Sequence, residues 1–257
     1  MLIRQAQMDV FDRNAEVAFE AEMLDHLRNF LPFRAQGFEE GTLKQVVHDG
    51  LTTARNHGFT CRGSLRLYLE LTIVLGSAFD SDPQYPSLAE ILSDSTNPNE
   101  MQRAGRLYDQ ANAILNQIAQ PRRELLPTAF QQIAQKHLDN LEEQDLEQFV
   151  IATIADAYPE KALHTDAAWL HALFVEASQV TRVLHIHEPR GIALLTLIMF
   201  FAGHGVVRDA VYANQIDQAL TGELTPGARI EKLRQVVPAV LNCMLERQSS
   251  GGKGSKV

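Results

Sequence analysis

Apolar residues recur along this chain at the three-and-four spacing of one helix face. Met23, Leu24, Leu27, Phe30 and Leu31 form one such stripe, and Leu65, Leu69, Thr72, Ile73 and Gly76 form another. The strict alternation of a half-buried strand is hard to find. Breaks fall where helices should end or begin: Pro32, Gly58, the Asp82-Pro83 pair, the polar run Ser93 to Asn99, Pro121, Pro127, Pro159, Pro189 and Pro226. The pattern predicts an all-α protein of roughly ten or more helices. Its greasiest stretch, Ile192 to Gly203, is about a dozen residues long, short of the roughly 20 that a membrane-spanning helix needs. It reads as a buried core helix, and with few polar positions on any face it has to be covered nearly all round.

Sliding the chain against itself by 127 residues brings related positions together without a gap. Pro32 falls on Pro159, Leu43 on Leu170, Arg55 on Arg182, Leu67 on Leu194, Gly76 on Gly203, Asp82 on Asp209 and Tyr85 on Tyr212. With one residue dropped, Ile114-Leu115-Asn116 also meets Val240-Leu241-Asn242. The expected organisation is therefore a tandem repeat of two related helical bundles of about five helices each. Residues 1–121 would be the first copy and 122–248 the second, packed about a pseudo-two-fold axis, with the other half as the simplest cover for the apolar helix. The last residues, Ser249 to Val257, have the composition of a flexible tail.

Composition narrows the function classes. At 257 residues, 45% hydrophobic and 21% charged, the chain has ordinary globular composition and is too apolar for a disordered one. Its net charge of −9 argues against a nucleic-acid footprint, which needs a positive field, and fits a basic partner. Cys61 and Cys243 are too few for a disulfide scaffold and match no metal spacing. The N-terminus meets polar and charged residues before any apolar run develops, so no secretory signal is read and a cytoplasmic location is expected.

Candidate chemistry is sparse. Asp80 and Asp82 in the segment Gly76 to Pro86 lack the further oxygen ligands of a calcium loop. The bland reading makes Gly76 a helix end, Asp82 the cap of the next helix and Pro83 its first residue. His185-Ile186-His187-Glu188, with His204, is the one histidine cluster. Its two-residue spacing suits a strand, not a helix, and it reads as a loop with Pro189 opening the next helix. Gly203-His204-Gly205 reads as a helix end, not a dinucleotide loop. Acidic pairs such as Glu39-Glu40 and Glu142-Glu143 read as solvated. Nucleophile-elbow, phosphate-loop and zinc-protease motifs find no match, so no catalytic residue, cofactor or metal is assigned and no enzyme is expected.

The run Arg55-x-x-Gly58-Phe59, then Tyr68, Leu71, Leu75-Gly76 and Phe79-Asp80-x-Asp82-Pro83-x-Tyr85-Pro86 has a wider resemblance. With Ile3-Arg4-x-x-Gln7 and His26-Leu27-Arg28 before it, it resembles small helical proteins encoded beside effector, adaptor and spike-tip genes of bacterial type VI secretion systems. The resemblance covers residues 2 to 118 and reaches the second half through the repeat. It departs at Ser87 and Arg62, where the family often has tryptophan and an acidic residue. It implies a protein that binds other proteins: an accessory chaperone or adaptor for an effector or its loading partner, or an immunity protein that neutralises a toxin. An enzyme or a regulator of another system stays open. Turns that differ between the halves are the expected partner surface: Phe79, Asp80 and Pro86 in the first, His187 and His204 in the second. No membrane or nucleic-acid partner is expected.

Overall fold

The computed structural model describes residues 5–30, 40–118, 133, 138, 141–210, 212, 225 and 227–235, with side chains of the first helix described from 14 to 29. The boundary near Gln120 to Pro127, the tail from Ser249 and Cys243 lie outside the described residues. Within them the chain is all-helical and no residue is in a strand. Among the described residues, nine bounded α-helices occur: α1 (Gln5–Phe30), α2 (Glu40–Asn56), α3 (Arg62–Leu75), α4 (Pro86–Ser93), α5 (Glu100–Gln117), α6 (Glu143–Ala157), α7 (Pro159–His164), α8 (Ala167–Val183) and α9 (Pro189–Ala202). A 3-10 turn, His204–Val207, follows α9, and residues 227–235 are helical. Among the described residues no helix is long and apolar enough to cross a membrane.

Helix starts follow local chemistry. Proline occupies the first turn of α4, α7 and α9, where its missing N–H has no helical partner to lose. Asn99 and Asp166 cap α5 and α8 by accepting the N–H of Gln102 and Ala168. The start of α4 differs from expectation: Pro86 takes its first position, not Pro83, and Asp82 does not cap it. The Asp82 carboxylate instead accepts the backbone N–H of Gln84 two residues on and that of His204 across the contact.

Two hydrophobic clusters form. One is built from residues between Phe19 and Ala111, the other from residues between Ile133 and Leu233. In the first, Phe19, Met23 and Leu27 of α1 pack with Leu43, Val47 and Leu51 of α2 and Leu65 and Leu69 of α3. In the second, every residue of α9 from Ala193 to Ala202 is buried. Among the described residues its cover comes mainly from α6 and α8 of its own half, where the sequence suggests the other half. Leu146, Val150 and Ile154 on α6 and Leu173, Phe174 and Ala177 on α8 present apolar stripes to it.

The bounds of α2 and α8 stand 127 residues apart at both ends, and so do those of α3 and α9. The turns match as well. Gly58 and His185 both have positive φ, 74° and 55°, with Phe59 N–H donating to Ala54 O and Ile186 N–H to Thr181 O. These are the left-handed residues that end a helix. Gly76 and Gly203 end α3 and α9 at φ 111°, ψ 156° and φ 99°, ψ 149°.

Candidate functional site

The ends of α3 and α9 meet backbone to backbone. A β-carbon on Gly76 would lie 2.8 Å from the carbonyl oxygen of Ala202, and one on Gly203 would lie 3.0 Å from that of Leu75. Hydrogen bonds across this contact are reciprocal. Asp82 Oδ2 accepts the N–H of His204 at 2.9 Å, and Asp209 Oδ2 accepts the N–H of Ser77 at 3.3 Å. Asp82 is only 1% exposed, and its Oδ1 also accepts the backbone N–H of Gln84 at 2.9 Å.

Lys161 of α7 reaches into the same junction. It is 4% exposed, its ammonium donates to the carbonyl of Phe200, and it lies over the rings of Phe200 and Tyr85 at 4.6 and 5.5 Å. Phe200 is in the last turn of α9, whose carbonyls lack helical donors, so the cation satisfies an orphan acceptor at the negative end of the helix. The Gln84 amide adds a second donor to Met199 O, which already accepts the N–H of Gly203. Burial pulls the Lys161 pKa from 10.5 down to about 8, against the charge of Asp82, which pulls it up. Between these two values the folded chain binds fewer protons than the unfolded one, so stability rises with pH from about 8 towards 10. The gain is up to about 3 kcal/mol. Above pH 10 burial of Tyr68, Tyr85 and Tyr158, which raises their pKa, works the other way. Urea unfolding of wild type and Lys161→Met across pH 7–10 is expected to show the rise only in wild type; equal pH slopes would refute it.

One arrangement at the junction looks catalytic. Ser81 Oγ lies 3.2 Å from His204 Nε2, and His204 Nδ1 lies 2.9 Å from Glu176 Oε2, the hydroxyl–imidazole–carboxylate order that activates a serine. However, the same Nε2 is 3.1 Å from the carbonyl oxygen of Ala78, which can only accept. Burial lowers the His204 pKa, but the bond to Glu176, the charges of Asp82 and Glu176 and the Ala78 carbonyl together leave it raised. With Nε2 facing both the Ala78 carbonyl and Ser81 Oγ, and Nδ1 facing Glu176, these contacts brace Ala78–Ser81 against Glu176–His204.

A second polar cluster sits beside it. Asp80 Oδ2 accepts from His57 Nε2 at 2.8 Å and from the Tyr68 hydroxyl at 3.0 Å. Burial raises the Asp80 pKa, and the bonds from His57 and Tyr68 outweigh it and leave it lowered. The other sequence-predicted positions are scattered. Phe79 is fully buried, its ring 4.9 Å from Tyr68, so it belongs to the core and offers no surface to a partner. Pro86 starts α4 and is half-buried. His187 is exposed, near His185. His204 is tied into the junction, its side chain 12% exposed. Among the described residues no group of three metal-ligating side chains forms. Cys61 is free and exposed, its thiol pKa raised by the hydrogen bond and charge of Glu100.

An open groove of about 340 Å³ runs between α3 and α5, lined by Gly63, Leu67 and Glu70 on one side and Met101, Gly105 and Tyr108 on the other. Met101 and Tyr108 are 59% and 56% exposed. Sequence reasoning did not single out these two, nor His57 or Lys161. For Met101 and Tyr108 a signal exists: with Gly105 they form a stripe at helical spacing on the outer face of α5. Lys161 has none, because its burial depends on α9 and on Tyr85. Compared with family models, curated proteins and solved structures, the chain matches none.

Proposed function

We propose that this chain is a non-enzymatic protein-binding protein built from two copies of one helical module, residues 1–121 and 122–248, with 249–257 as a tail. The copies pack about a pseudo-two-fold axis that passes between Gly76 and Gly203. The shared offset of the helix bounds and the reciprocal Asp82–His204 and Asp209–Ser77 bonds support this arrangement. The observation that carries the binding reading is the α3–α5 groove, where two large apolar side chains stand more than half exposed beside open space over Gly63 and Gly105. With the one residue dropped before this helix, their counterparts 126 further on are Gly227 and Arg234, small or charged, so the second copy has no such ridge.

The occupant fitted by a groove between two helices with an apolar floor is an amphipathic helix of the partner. The net charge of −9 favours one with a basic rim. From the type VI secretion resemblance, that partner is an effector or the adaptor that loads it, and the chain is its accessory chaperone or adaptor in the producing cell. A second reading, immunity by capping a basic toxin, is favoured by the same acidic charge.

Co-expression with the products of the neighbouring genes tests this. Met101→Arg and Tyr108→Arg are each expected to weaken capture of the partner at least about ten-fold, the scale of a lost interface anchor. Neither should lower the melting temperature, because both positions are exposed. Undiminished capture by both variants would sink the groove. Protection of cells from a co-expressed neighbouring toxin would select immunity over the accessory role.

A further inference from the structure

His57, Tyr68 and Asp80 form one hydrogen-bonded set, and the residues 127 further on are Leu184, Leu195 and Val207. Leu195 belongs to the second core, with Leu184 and Val207 packed against it. Three aliphatic side chains thus fill the positions that three polar ones fill in the first half. A buried hydroxyl and carboxylate carry a desolvation cost that leucine and valine do not. The architecture therefore does not demand the polar set, and its geometry has to be read for what it presents.

Asp80 uses one oxygen inward. Oδ2 takes both the His57 and Tyr68 donors, which pins the carboxylate. Oδ1 meets the Ser81 hydroxyl at 3.5 Å, the outer limit of hydrogen-bond distance. The Asp80 side chain is 15% exposed and that of His57 25%, with Ser81 exposed beside them. The Ser81 hydroxyl donates towards Oδ1 and its oxygen, 3.2 Å from His204 Nε2, keeps a lone pair to accept from outside, so the two oxygens stand side by side at the surface. A planar guanidinium offers two parallel N–H groups to such a pair, where a lysine ammonium offers a single point of charge.

We propose that Asp80, positioned by His57 and Tyr68, is the anchor for an arginine side chain of the protein partner, and that only the first half carries this anchor. It rests on the protein-binding reading above. The acidic body adds long-range attraction for a basic partner, and the preformed carboxylate adds the local fit. His57 and Tyr68 act through Asp80 and are positioning residues.

The test is a nuclear magnetic resonance titration of the full chain with Nα-acetyl-arginine amide, using the uncharged Nα-acetyl-citrulline amide as the shape-matched control. Saturable shifts of the Asp80 and Ser81 amides are expected in the millimolar range, where a single exposed ion pair belongs. Citrulline amide should give none. Asp80→Asn keeps acceptors for His57 and Tyr68 and should weaken the response at least ten-fold. His57→Leu, which copies the second half, should weaken it several-fold without lowering the melting temperature. Equal saturation in Asp80→Asn, an equal response to citrulline amide, or no saturable shift up to tens of millimolar would each overturn the anchor. Capture of the neighbouring gene product by Asp80→Asn at wild-type strength would overturn the anchor alone and leave the protein-binding reading standing.

Discussion

Gly76→Ala and Gly203→Ala should each lower the unfolding free energy by at least about 3 kcal/mol, the largest single-methyl effects expected in the molecule. Two costs combine. Both residues have φ near +100° with ψ near 150°, a region that side chains other than glycine's rarely enter. In addition, the new methyl meets backbone, not a side chain that can turn away: the Ala202 oxygen at 2.8 Å or the Leu75 oxygen at 3.0 Å. Relief would require α3 and α9 to separate. Because both substitutions act on one contact, the double variant should lose less than the sum. Urea denaturation measures this, and Gly105→Ala is the internal reference. That glycine is helical with nothing within 4 Å of a β-carbon, so alanine there should stabilise by about 0.5–1 kcal/mol. A loss under about 1 kcal/mol at Gly76 would mean that the two helix ends do not meet as described.

Asp82→Ala is the second. The carboxylate is almost fully enclosed and accepts from the backbone of Gln84 and of His204. It is also the negative charge acting on buried Lys161. Truncation leaves donors unsatisfied and a cation without its counter-charge, a loss of about 3–5 kcal/mol. Asp82→Asn retains one acceptor and should lose less. Because the charge of Asp82 raises the Lys161 pKa, its removal should move the alkaline rise in stability to lower pH. Unfolding curves of the two variants at pH 7 and 9 check both points. An Asp82→Ala protein as stable as wild type would show that the junction is not held by this residue.

Much of the local architecture was readable beforehand. Pro189 starting α9, Gly76 and Gly203 ending α3 and α9, and the loop at His185–His187 all follow from backbone preferences that act within a few residues. The all-helical character follows in the same way from apolar periodicity. Even the 127-residue correspondence is a one-dimensional property, visible because glycine, aspartate and tyrosine recur at turns. Phe79 looked like a turn aromatic free to meet a partner, but Tyr68 and the rest of the first core enclose it. Asp82 looked like a helix cap, since an aspartate before a proline is one in local terms, yet it serves a backbone group 122 residues away.

The candidate site was legible only in part for the same reason. Asp80 stood out by composition, but the bonds that orient it come from His57 and Tyr68, 23 and 12 residues earlier. The sequence by itself determined the all-helical character, the glycine ends of α3 and α9 and the proline start of α9, because those depend on near neighbours and on spacing. Tertiary structure alone decided which polar side chains are committed and which are presented. Asp82, Lys161 and His204 are drawn into the junction by partners from distant parts of the chain, while Met101 and Tyr108 are left outside. Burial is a property of what the rest of the chain places beside a residue, and no local pattern encodes it.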